Sequence, residues 1–385
     1  MNKDNTTYLS IGSNLGNRFL NIQKAIFRLN TDDSVVEKVS AVYENPAIGF
    51  QGADFLNACF SVRTNLSAEK LLQLITQIEN DFGRERSSDG TYTSRVIDLD
   101  ILYVSEKVMD TENLVIPHPR MTERNFVLKP LADIAPQFYH PTLKKDTRNL
   151  LQECKDESNL TKTTFALHNS RKNLFSQLQF LSIEGNIGAG KTTLTKMIAE
   201  EYNAKLVLER FAENPFLPKF YEDQSRFAFP LEMSFLADRY QQFTDDTSQF
   251  DLFKNFMVSD YDIFKSLIFA KVTLQKEEFE LYKKVFNFMY KEVRKPDIYI
   301  YLYQGTERLL ENIKKRGRDY EQGITAEYLD KINRGYLDFI KSHPQQTTLL
   351  IDLDSLDFVT NRNDYEYILN SIESKLIEVL HSDNF

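Results

Sequence analysis

The sequence predicts two domains, an N-terminal α+β sandwich and a C-terminal α/β domain with a parallel sheet. A chain of 385 residues is long for one compact domain. The first half gives the order strand, helix, strand, strand, helix, strand, which is typical of a ferredoxin-like sandwich. The second half alternates short apolar runs with helical segments around one Gly-rich turn, which is typical of a parallel sheet with helices on both faces.

The composition is that of a globular protein, with 42% hydrophobic and 27% charged residues. No apolar run approaches the roughly 18–20 residues of a membrane span, and the N-terminus lacks the pattern of a secretory signal. Cys59 and Cys154 are too few for a disulfide framework or a CxxC metal site. A net charge of −9 disfavours a broad nucleic-acid-binding surface. We therefore expect a cytoplasmic protein without membrane or nucleic-acid partners.

The elements of the first half follow from the spacing of its apolar residues. Apolar residues three and four apart predict helices, and alternation predicts strands. Phe19, Ile22, Ile26 and Leu29 mark the first helix, and Ser67 caps the second. The expected strands are 7–12, 35–43, 55–62 and 95–104.

A polar stretch without a strong period separates the two halves. We expect the first domain to span 1–160, a linker to span 161–177 and the second domain to span 178–385. In the second domain, short apolar runs predict strands at 180–184, 205–209, 256–260, 297–303 and 348–352.

The Gly-rich turn of the second half carries GNIGAGKT, which fits the phosphate-binding pattern GxxxxGK[ST]. Its glycines allow backbone N–H groups to wrap a phosphate without obstruction from a Cβ atom. Lys191 would reach the β- and γ-phosphates, and the Thr192 hydroxyl would ligate Mg²⁺. The expected ATP-binding residues of this loop are Gly185, Asn186, Ile187, Gly188, Ala189, Gly190, Lys191, Thr192 and Thr193.

Two carboxylates lie close together in the last strand of the first half. Asp98 and Asp100 are two residues apart and therefore point to the same face of a strand, while Leu99 and its neighbours pack on the other. Like charges placed so close favour a hard cation between them, such as Mg²⁺ with substrate phosphates. On spacing alone, the solvated polar face of an edge strand is the more ordinary interpretation, so both interpretations stay open at this point.

The second half resembles the deoxynucleoside kinases through the motifs GNIGAGKTTL, ENPFLPKFYED and RGRDYEQGI, over about residues 178–385. The resemblance implies that Glu209 accepts the proton of the nucleoside 5′-hydroxyl as that oxygen attacks the γ-phosphorus of ATP. It also implies one Mg²⁺ ion near Thr192 and Asp260. The other implied contacts are Arg316 and Arg318 to the transferred phosphate, Tyr221 and Glu321 to the sugar 3′-hydroxyl, and Phe269 to the base.

Two positions depart from the usual pattern of that family. The family reads the base with a glutamine, where this chain has Glu232, accompanied by Arg239. An ionised carboxylate only accepts hydrogen bonds, which suits the paired N–H donors of guanine, or a carboxylate held by Arg239. A purine preference, guanine included, is therefore a hypothesis. Tyr261 stands where the family has an arginine, and Lys265, about one helical turn on, is a candidate substitute.

The first half resembles the 6-hydroxymethyl-7,8-dihydropterin pyrophosphokinases. YLSIGSNLGN, VYENPAIG, DFLNACF, SRVIDLDIL and VIPHPRM occur in order between residue 7 and about residue 140. The resemblance implies two Mg²⁺ ions at Asp98 and Asp100 that bridge the ATP phosphates, with Arg84 and Arg95 neutralising the transferred diphosphate. The remaining implied contacts are His118 to ATP, and Asn45, Pro46, Asn57, Arg124 and Phe126 to the pterin.

We therefore expect a fusion of two ATP-dependent transferases that act on small molecules. The first domain would transfer diphosphate from ATP to 6-hydroxymethyl-7,8-dihydropterin, and the second would transfer the γ-phosphoryl group of ATP to the 5′-hydroxyl of a deoxynucleoside. An alternative is that only the pterin domain is catalytic and the P-loop domain is a regulatory module that binds nucleosides or nucleotides. Kinases of the second family are commonly dimeric, so the resemblance is compatible with a homodimer through the kinase domain.

Overall fold

The computed structural model describes residues 6–47, 50–83, 94–210, 214–248, 253–291 and 293–381. The chain divides into two compact units. Unit 1 contains the described residues up to Leu174 together with Leu380 and His381, and unit 2 runs from Phe175 to Val379. Among the helices of the described ranges, none is long and apolar enough to cross a membrane.

Unit 1 is built on a mainly antiparallel sheet with helices on its two faces. Its strands are β1 (Thr6–Ser13), β2 (Ser34–Val39), β3 (Tyr43–Asn45), β4 (Phe55–Thr64), β5 (Asp98–Val104), β6 (Met109–Asp110), β7 (Val115–Ile116) and β8 (Thr161–Lys162). Its helices are α1 (Arg18–Arg28), α2 (Ala68–Asp81), α3 (Asn125–Ile134) and α4 (Thr147–Glu153). The helix α5 (Arg171–Phe175) spans the division between the units. As expected, Ser67 caps α2 by accepting a hydrogen bond from the backbone of Lys70.

The strand register decides which side chains share a face of this sheet. The order is β5-β1-β4-β3-β8, and β2 also pairs with β4. Gly12 of β1 lies between Asn57 of β4 and Asp98 of β5, so all three face the same side. Farther along that face, Cys59 packs against α3 and α4. This face is therefore divided between an apolar core at one end and polar side chains at the other.

The strand expected at 35–43 is in fact two strands, since β2 ends at Val39 and β3 begins at Tyr43. Between β2 and β3, side chains accept hydrogen bonds from backbone N–H groups, and this interrupts the regular pairing with β4. Ser40 Oγ accepts a hydrogen bond from the N–H of Cys59 at 2.9 Å, and the Asp133 carboxylate accepts one from Ala41 at 3.3 Å. The alternation of apolar and polar residues could not reveal this break, because the residues on both sides of it have a high propensity for strands.

The segment 161–177, expected as a linker, carries β8 and α5. β8 pairs with β3, and Thr163 donates its backbone N–H to Val42 at 2.9 Å. The buried Gln23 side chain accepts a hydrogen bond from the N–H of His168 and donates one to its carbonyl oxygen, at 2.8 and 2.7 Å. Polar residues in this stretch are thus compatible with an ordered segment, because its backbone groups find partners in the fold of unit 1.

Unit 2 is a parallel sheet between helices, as the sequence predicts. Its strands are β9 (Phe180–Gly185), β10 (Lys205–Val207), β11 (Met257–Ser259), β12 (Ile298–Tyr303) and β13 (Thr348–Asp352). Its helices are α6 (Lys191–Tyr202), α7 (Leu217–Glu222), α8 (Gln224–Ser248), α9 (Lys265–Thr273), α10 (Lys276–Tyr290), α11 (Thr306–Arg316), α12 (Ala326–Ser342) and α13 (Arg362–Leu380).

The strand order in unit 2 is β10-β11-β9-β12-β13, and every pairing among these strands is parallel. The carboxyl ends of the strands therefore meet at one edge, where ligands of open α/β sheets usually bind. The Gly-rich turn follows β9 at this edge, Glu209 follows β10 and Asp260 follows β11. Gly190 caps α6 with φ of 85°, a conformation that favours glycine.

We expect Gly185→Ala to destabilise unit 2, because a Cβ atom there would lie 2.7 Å from the Leu302 carbonyl oxygen of the adjacent strand. Overpacking of this kind costs about 1–3 kcal/mol. Hydrogen exchange of the β9 and β12 peptides should therefore accelerate. Gly323→Ala is the matched control, since nothing lies within 4 Å of a Cβ atom at that position. Equal exchange in the two variants would contradict the packing argument.

Candidate active sites

A cavity of about 760 Å³ opens on the polar end of the sheet face in unit 1. It brings together seven of the residues expected from the sequence, namely Asn45, Asn57, Arg95, Asp98, Asp100, Arg124 and Phe126. Pro46 and His118 are not among the described residues that line it, and Arg84 lies outside the described residues. The sequence reasoning missed Ser10, Ile11, Gly12, Phe50, Phe55, Arg120, Thr122, Glu123, Glu153, Lys155 and Asp156.

The two carboxylates of β5 point into this cavity. Asp98 and Asp100 are half-buried, whereas Leu99 between them is buried on the opposite face. The backbone N–H of Leu99 donates a hydrogen bond to the buried Glu79 carboxylate at 2.9 Å, which holds the strand against α2. These two carboxylates therefore line a cavity and are only partly exposed to solvent.

Arg95 is held at the cavity from two sides. Its guanidinium forms an ion pair with Asp98 at 2.6 Å. Its backbone N–H donates to the side chain of buried Asn14 at 2.6 Å, and its carbonyl oxygen accepts the N–H of Asn14 at 3.0 Å. Asn14 belongs to the turn after β1, so the GSN sequence there positions the arginine. A polar residue in such a turn carries no signal of this role by itself.

An amide pair and the start of α3 form another part of the cavity lining. The Asn57 amide donates to the Asn45 side-chain oxygen, and both residues are buried. A Cβ atom at Gly12 would lie 2.8 Å from the Asn57 side-chain oxygen, so glycine leaves room for this pair. The Arg124 guanidinium lies 5.6 Å from the centre of the Phe126 ring, which places a cation beside an aromatic face.

His118 is a neutral imidazole next to the cavity residues. Burial, together with the charges of Arg124 and Arg120, lowers its pKa to about 4. Its ring nitrogen Nδ1 accepts the backbone N–H of Arg120 at 3.3 Å, and the backbone N–H of His118 donates to the Leu102 carbonyl oxygen at 3.0 Å. At neutral pH this side chain can therefore contribute a hydrogen bond to a ligand but no positive charge.

A smaller cavity of about 110 Å³ lies at the carboxyl edge of the sheet in unit 2. The expected residues that line it are Ile187, Gly188, Lys191, Thr192, Glu209, Tyr221, Glu232, Arg239, Asp260, Phe269, Arg316, Arg318 and Glu321. Lys265, the candidate substitute for the missing arginine, also lines the cavity. The lining residues that the sequence motifs did not indicate are Leu217, Phe220, Leu231, Phe235, Tyr320 and Tyr328. The positions of Glu232, Phe235 and Arg239 on α8 are three and four residues apart, so helical spacing could have identified Phe235.

Glu209 is the centre of a buried charge network in this cavity. Its carboxylate pairs with Arg239 at 2.5 Å and with Lys265 at 2.6 Å. Burial by itself would raise the pKa of Glu209, but the charges and hydrogen bonds of Lys265 and Arg239 outweigh burial and hold that pKa well below its ordinary value. Glu209 is therefore ionised at every physiological pH.

A carboxylate held by Arg239 was one of the two uses that the sequence left open for Glu232. Arg239 bonds to Glu209 and to the Ser266 hydroxyl, the latter at 2.6 Å, whereas Glu232 accepts a hydrogen bond from Thr273 at 3.0 Å. Both ends of the guanidinium are therefore used by other partners. Glu232 therefore lines the cavity without a hydrogen bond to Arg239, although the two charges still interact.

The phosphate end of the cavity combines oxygen donors with a buried lysine. The Thr192 hydroxyl donates to the Asp260 carboxylate at 2.5 Å, and the backbone N–H of Glu209 donates to the same carboxylate at 2.8 Å. Lys191 donates to the Asn186 carbonyl oxygen at 2.8 Å, and burial, aided by nearby Lys265, lowers its pKa to about 8. An anionic ligand would restore the charge of this lysine, which is the behaviour of a phosphate-binding group.

Not every residue of the Gly-rich turn presents its side chain to the cavity. The buried Asn186 amide donates to the Leu329 carbonyl oxygen and to the Asn333 side chain, each at 2.8 Å. Thr193 is exposed. The Asn186 side chain thus fixes the turn against α12, and contact with a phosphate there would come from the backbone of the turn.

The far side of the cavity holds the arginines and the tyrosine expected from the sequence. Arg316 and Arg318 both form ion pairs with buried Glu321, the second at 3.1 Å. The Tyr221 ring lies 6.3 Å from that of Tyr320 in a stacked arrangement, and burial raises the pKa of Tyr221 well above its ordinary value. Tyr221 therefore keeps its proton and can donate a hydrogen bond.

Tyr261, at the position where an arginine was expected, is buried in the apolar core and does not line the cavity. Lys265, four residues later, reaches the cavity and bonds to Glu209. The substitution therefore exchanges a polar site residue for a core residue. A cation is nevertheless present in the site, because the first turn of α9 places Lys265 there.

Known proteins match the two units separately. A family model described as "Deoxynucleoside kinase" matches residues 181–378, and one described as "7,8-dihydro-6-hydroxymethylpterin-pyrophosphokinase (HPPK)" matches residues 8–136. The chain is 37% identical over 202 residues to the deoxyguanosine kinase of Bacillus subtilis, covering 51% of this chain and 98% of that relative. It is 31% identical over 216 residues to the deoxyadenosine kinase of Lactobacillus acidophilus, covering 52% of this chain and 98% of that relative.

The first unit has its own relatives. The chain is 42% identical over 136 residues to the 2-amino-4-hydroxy-6-hydroxymethyldihydropteridine pyrophosphokinase of Bacillus subtilis, covering 35% of this chain and 80% of that relative. Folds, sites and relatives together define a transferase with two catalytic domains that uses ATP. The chain belongs to the hydroxymethylpterin pyrophosphokinase family in its first half and to the deoxynucleoside kinase family in its second.

We expect Asp156→Ala to weaken pterin binding, although Asp156 lies beyond the matched residues 8–136. Its carboxylate accepts the backbone N–H of Asn125 at 2.9 Å and so caps the start of α3, beside Arg124 and Phe126. Loss of such a cap costs about 1 kcal/mol. The KM for the pterin should rise several-fold with little change in kcat, as measured by steady-state AMP release. Asp156→Asn should retain most of the wild-type KM, and Glu157→Ala serves as the neighbouring control; an unchanged KM in Asp156→Ala would contradict the capping role.

Proposed function

We propose that Asp98 and Asp100 organise the transfer of diphosphate from ATP to the hydroxymethyl oxygen of the pterin. That oxygen attacks the β-phosphorus and loses its proton to water, the bond between the β-phosphorus and the α,β-bridging oxygen breaks, and AMP leaves. The observation that carries this proposal is the single cavity that joins the two carboxylates, Arg95 and the amide pair of Asn45 and Asn57. The register of β1, β4 and β5 explains why the carboxylates and Asn57 face one volume.

The donor set of this cavity fits Mg²⁺. Two half-buried carboxylates on one strand face offer the hard oxygen ligands that this ion prefers, while leaving positions for phosphate oxygens and water. We propose two such ions at Asp98 and Asp100. When bound, they would neutralise charge on the phosphates. Arg95 would add positive charge at the transferred diphosphate, and Arg84 is proposed for the same role.

The pterin is proposed to lie between the amide pair and the start of α3. Asn45 and Asn57 present amide groups suited to the hydrogen-bonding edge of a pterin, and Phe126 presents a ring face next to Arg124. Pro46 is proposed as part of the same wall through its backbone, since its carbonyl oxygen accepts a hydrogen bond from the Asn45 amide at 2.8 Å. Neutral His118 would hydrogen-bond an ATP phosphate.

In unit 2 we propose that the γ-phosphoryl group of ATP passes to the 5′-hydroxyl of a deoxynucleoside. The nucleoside O5′ forms a bond to the γ-phosphorus as the bond to the β,γ-bridging oxygen breaks, and the hydroxyl proton goes to Glu209. Because its pKa is held low, Glu209 is a weak base that orients the hydroxyl and accepts the proton late. This suits the loose transition state of phosphoryl transfer, where positioning and charge stabilisation dominate.

The other groups of this cavity divide between the phosphates and the sugar. Thr192 and Asp260 supply adjacent oxygen atoms that fit one Mg²⁺ ion. Lys191, Arg316 and Arg318 would stabilise charge on the transferred group. Tyr221 and Glu321 are proposed to bind the sugar 3′-hydroxyl, and Phe269 to stack on the base.

A purine preference is proposed for this site. The Glu232 carboxylate lines the cavity beside Phe269 and offers acceptors to the N–H donors of guanine. Two relatives that are 37% and 31% identical are named deoxyguanosine kinase and deoxyadenosine kinase, and both act on purine nucleosides by name. A regulatory role without catalysis is disfavoured, because base, lysine, arginines and oxygen donors all meet in one cavity.

Three further assignments accompany these activities. The order β5-β1-β4-β3 supports a ferredoxin-like arrangement for unit 1, with β2 and β8 as additional edge pairings. We propose a cytoplasmic location, where both sets of small substrates are available, and a homodimer through the kinase domain, as is common in that family.

The released nucleotide separates the two activities in one chain. Wild-type protein should form AMP only with the pterin alcohol and ADP only with a deoxynucleoside. Asp98→Asn should lower AMP formation at least about 100-fold through loss of the cation site, and leave ADP formation intact. Glu209→Gln should do the reverse. Each variant is the folding control for the other, and a variant that loses both activities would contradict the assignment.

Lys265→Met should lower kcat for ADP formation by about 100-fold or more, because it removes the cation that stands in for the missing arginine. Lys265→Arg should recover part of the rate, since it restores a charge at the same position. Lys271→Met, on the exposed side of α9, is the matched control. Equal kcat in Lys265→Met and Lys271→Met would show that Lys265 takes no part in transfer.

A further inference from the structure

We propose that Glu232 selects between guanine and adenine by its protonation state, so that the base preference of the kinase site changes with pH. This inference rests on the proposed deoxynucleoside kinase activity and names the group that determines its specificity. It differs from a fixed guanine preference, because one side chain would offer two hydrogen-bonding patterns to the same base position.

The Glu232 carboxyl is buried yet incompletely hydrogen-bonded. The residue is 2% exposed and lies on the lining of the cavity. Its Oε1 atom accepts the Thr273 hydroxyl at 3.0 Å, whereas its Oε2 atom is buried and has no hydrogen-bond partner among the described residues. A buried polar atom without a partner is costly unless a ligand or water completes it. A base edge that enters the cavity would supply that partner.

Thr273 is placed to tolerate either protonation state of Glu232. Its hydroxyl oxygen lies 3.0 Å from Glu232 Oε1 and also 3.0 Å from the Phe269 carbonyl oxygen. The hydroxyl has one proton, which it donates to Oε1 when the carboxylate is ionised. When Glu232 is protonated, the hydroxyl can turn to the Phe269 carbonyl and no donor is left unpaired. The surroundings therefore do not lock the carboxyl in one form.

The two forms of the carboxyl are complementary to different purines. An ionised carboxylate accepts two hydrogen bonds and matches the N1–H and N2–H donors of guanine. A protonated carboxyl has one donor and one acceptor, as the glutamine usual in the family does, and it matches the N1 acceptor and N6–H donor of adenine. Each mismatch would leave a buried polar group unpaired, which is the kind of penalty that gives strong discrimination.

The charges that face Glu232 oppose one another. Burial raises its pKa to about 7, Arg239 and Lys265 act to lower it, and Glu209 acts to raise it. The other titratable groups that interact with it are Tyr221 of α7, Tyr282 of α10 and Tyr328 of α12, whose pKa values are all raised first by burial and which are therefore neutral. Both forms of Glu232 are thus populated near neutral pH.

The test is the ratio of kcat/KM for deoxyguanosine to that for deoxyadenosine, measured as ADP release between pH 6 and pH 8. The ionised-to-protonated ratio of one carboxyl rises tenfold per pH unit, so the specificity ratio should rise with pH by up to roughly 100-fold. Titration of ATP, Glu209 or Lys191 affects both substrates and cancels in this ratio. A ratio that changes less than about threefold would overturn the inference in the wild-type protein, without need of a variant.

Glu232→Gln provides a second, independent measurement. Glutamine keeps one donor and one acceptor at all pH values, so the ratio should become independent of pH and should favour deoxyadenosine. Glu327→Gln, an exposed carboxylate on α12, is the matched control and should retain the wild-type profile. A pH-dependent ratio in Glu232→Gln would overturn the proposed role. If ADP forms with no deoxynucleoside at any pH, the proposed kinase activity itself fails, and this inference with it.

Discussion

The two ion pairs of Glu209 are the interaction on which the site in unit 2 depends. The side chains of Arg239 and Lys265 are only 4% and 8% exposed, and a buried cation without a counter-charge costs several kcal/mol. Glu209 compensates both, while its backbone N–H bonds to the Asp260 carboxylate. The proposed catalytic base Glu209, the proposed substitute cation Lys265 and the proposed metal site thus share one hydrogen-bonded network. The two ion pairs lower the basicity of Glu209, so in the proposed mechanism its main contribution would be to position the hydroxyl group.

In unit 1 the corresponding constraint is strand register rather than buried charge. Gly12 lies opposite both Asn57 and Asp98, so one small residue leaves space between the amide pair and the carboxylates of the cavity. The Asp98 and Asp100 side chains remain half-buried, and Asp98 forms an ion pair with Arg95. In the proposed mechanism, half-buried carboxylates would face the phosphates in unit 1, whereas a buried network of ion pairs would face them in unit 2.

Much of both sites could be predicted from the sequence. Many of the motif residues lie at or near the ends of strands, and strands that pair in one sheet bring those residues close together. Asp98 and Asp100 follow from alternation, and Lys191 and Thr192 follow from the Gly-rich turn. The partner of Arg239 could not be predicted, because Glu232 and Glu209 are both carboxylates and only the packing of α8 chooses between them. The roles of Asn14 and Asp156 also escaped notice, since they act through backbone groups that have no sequence signature. Arg84 stays a prediction.

The edge strand β8 shows that the folded first unit extends beyond the residues that the family model matches. The match to the pyrophosphokinase family model ends at residue 136, yet β8 completes the sheet beside β3, and Asp156 caps the helix that carries Phe126. A fragment cut at residue 136 would expose an edge of the sheet that can pair with other chains. In a fusion gene, the stretch between two recognised enzymes is thus easily mistaken for spacer. Here that stretch belongs to the fold of unit 1, so a separation of the two enzymes would have to keep it with the first.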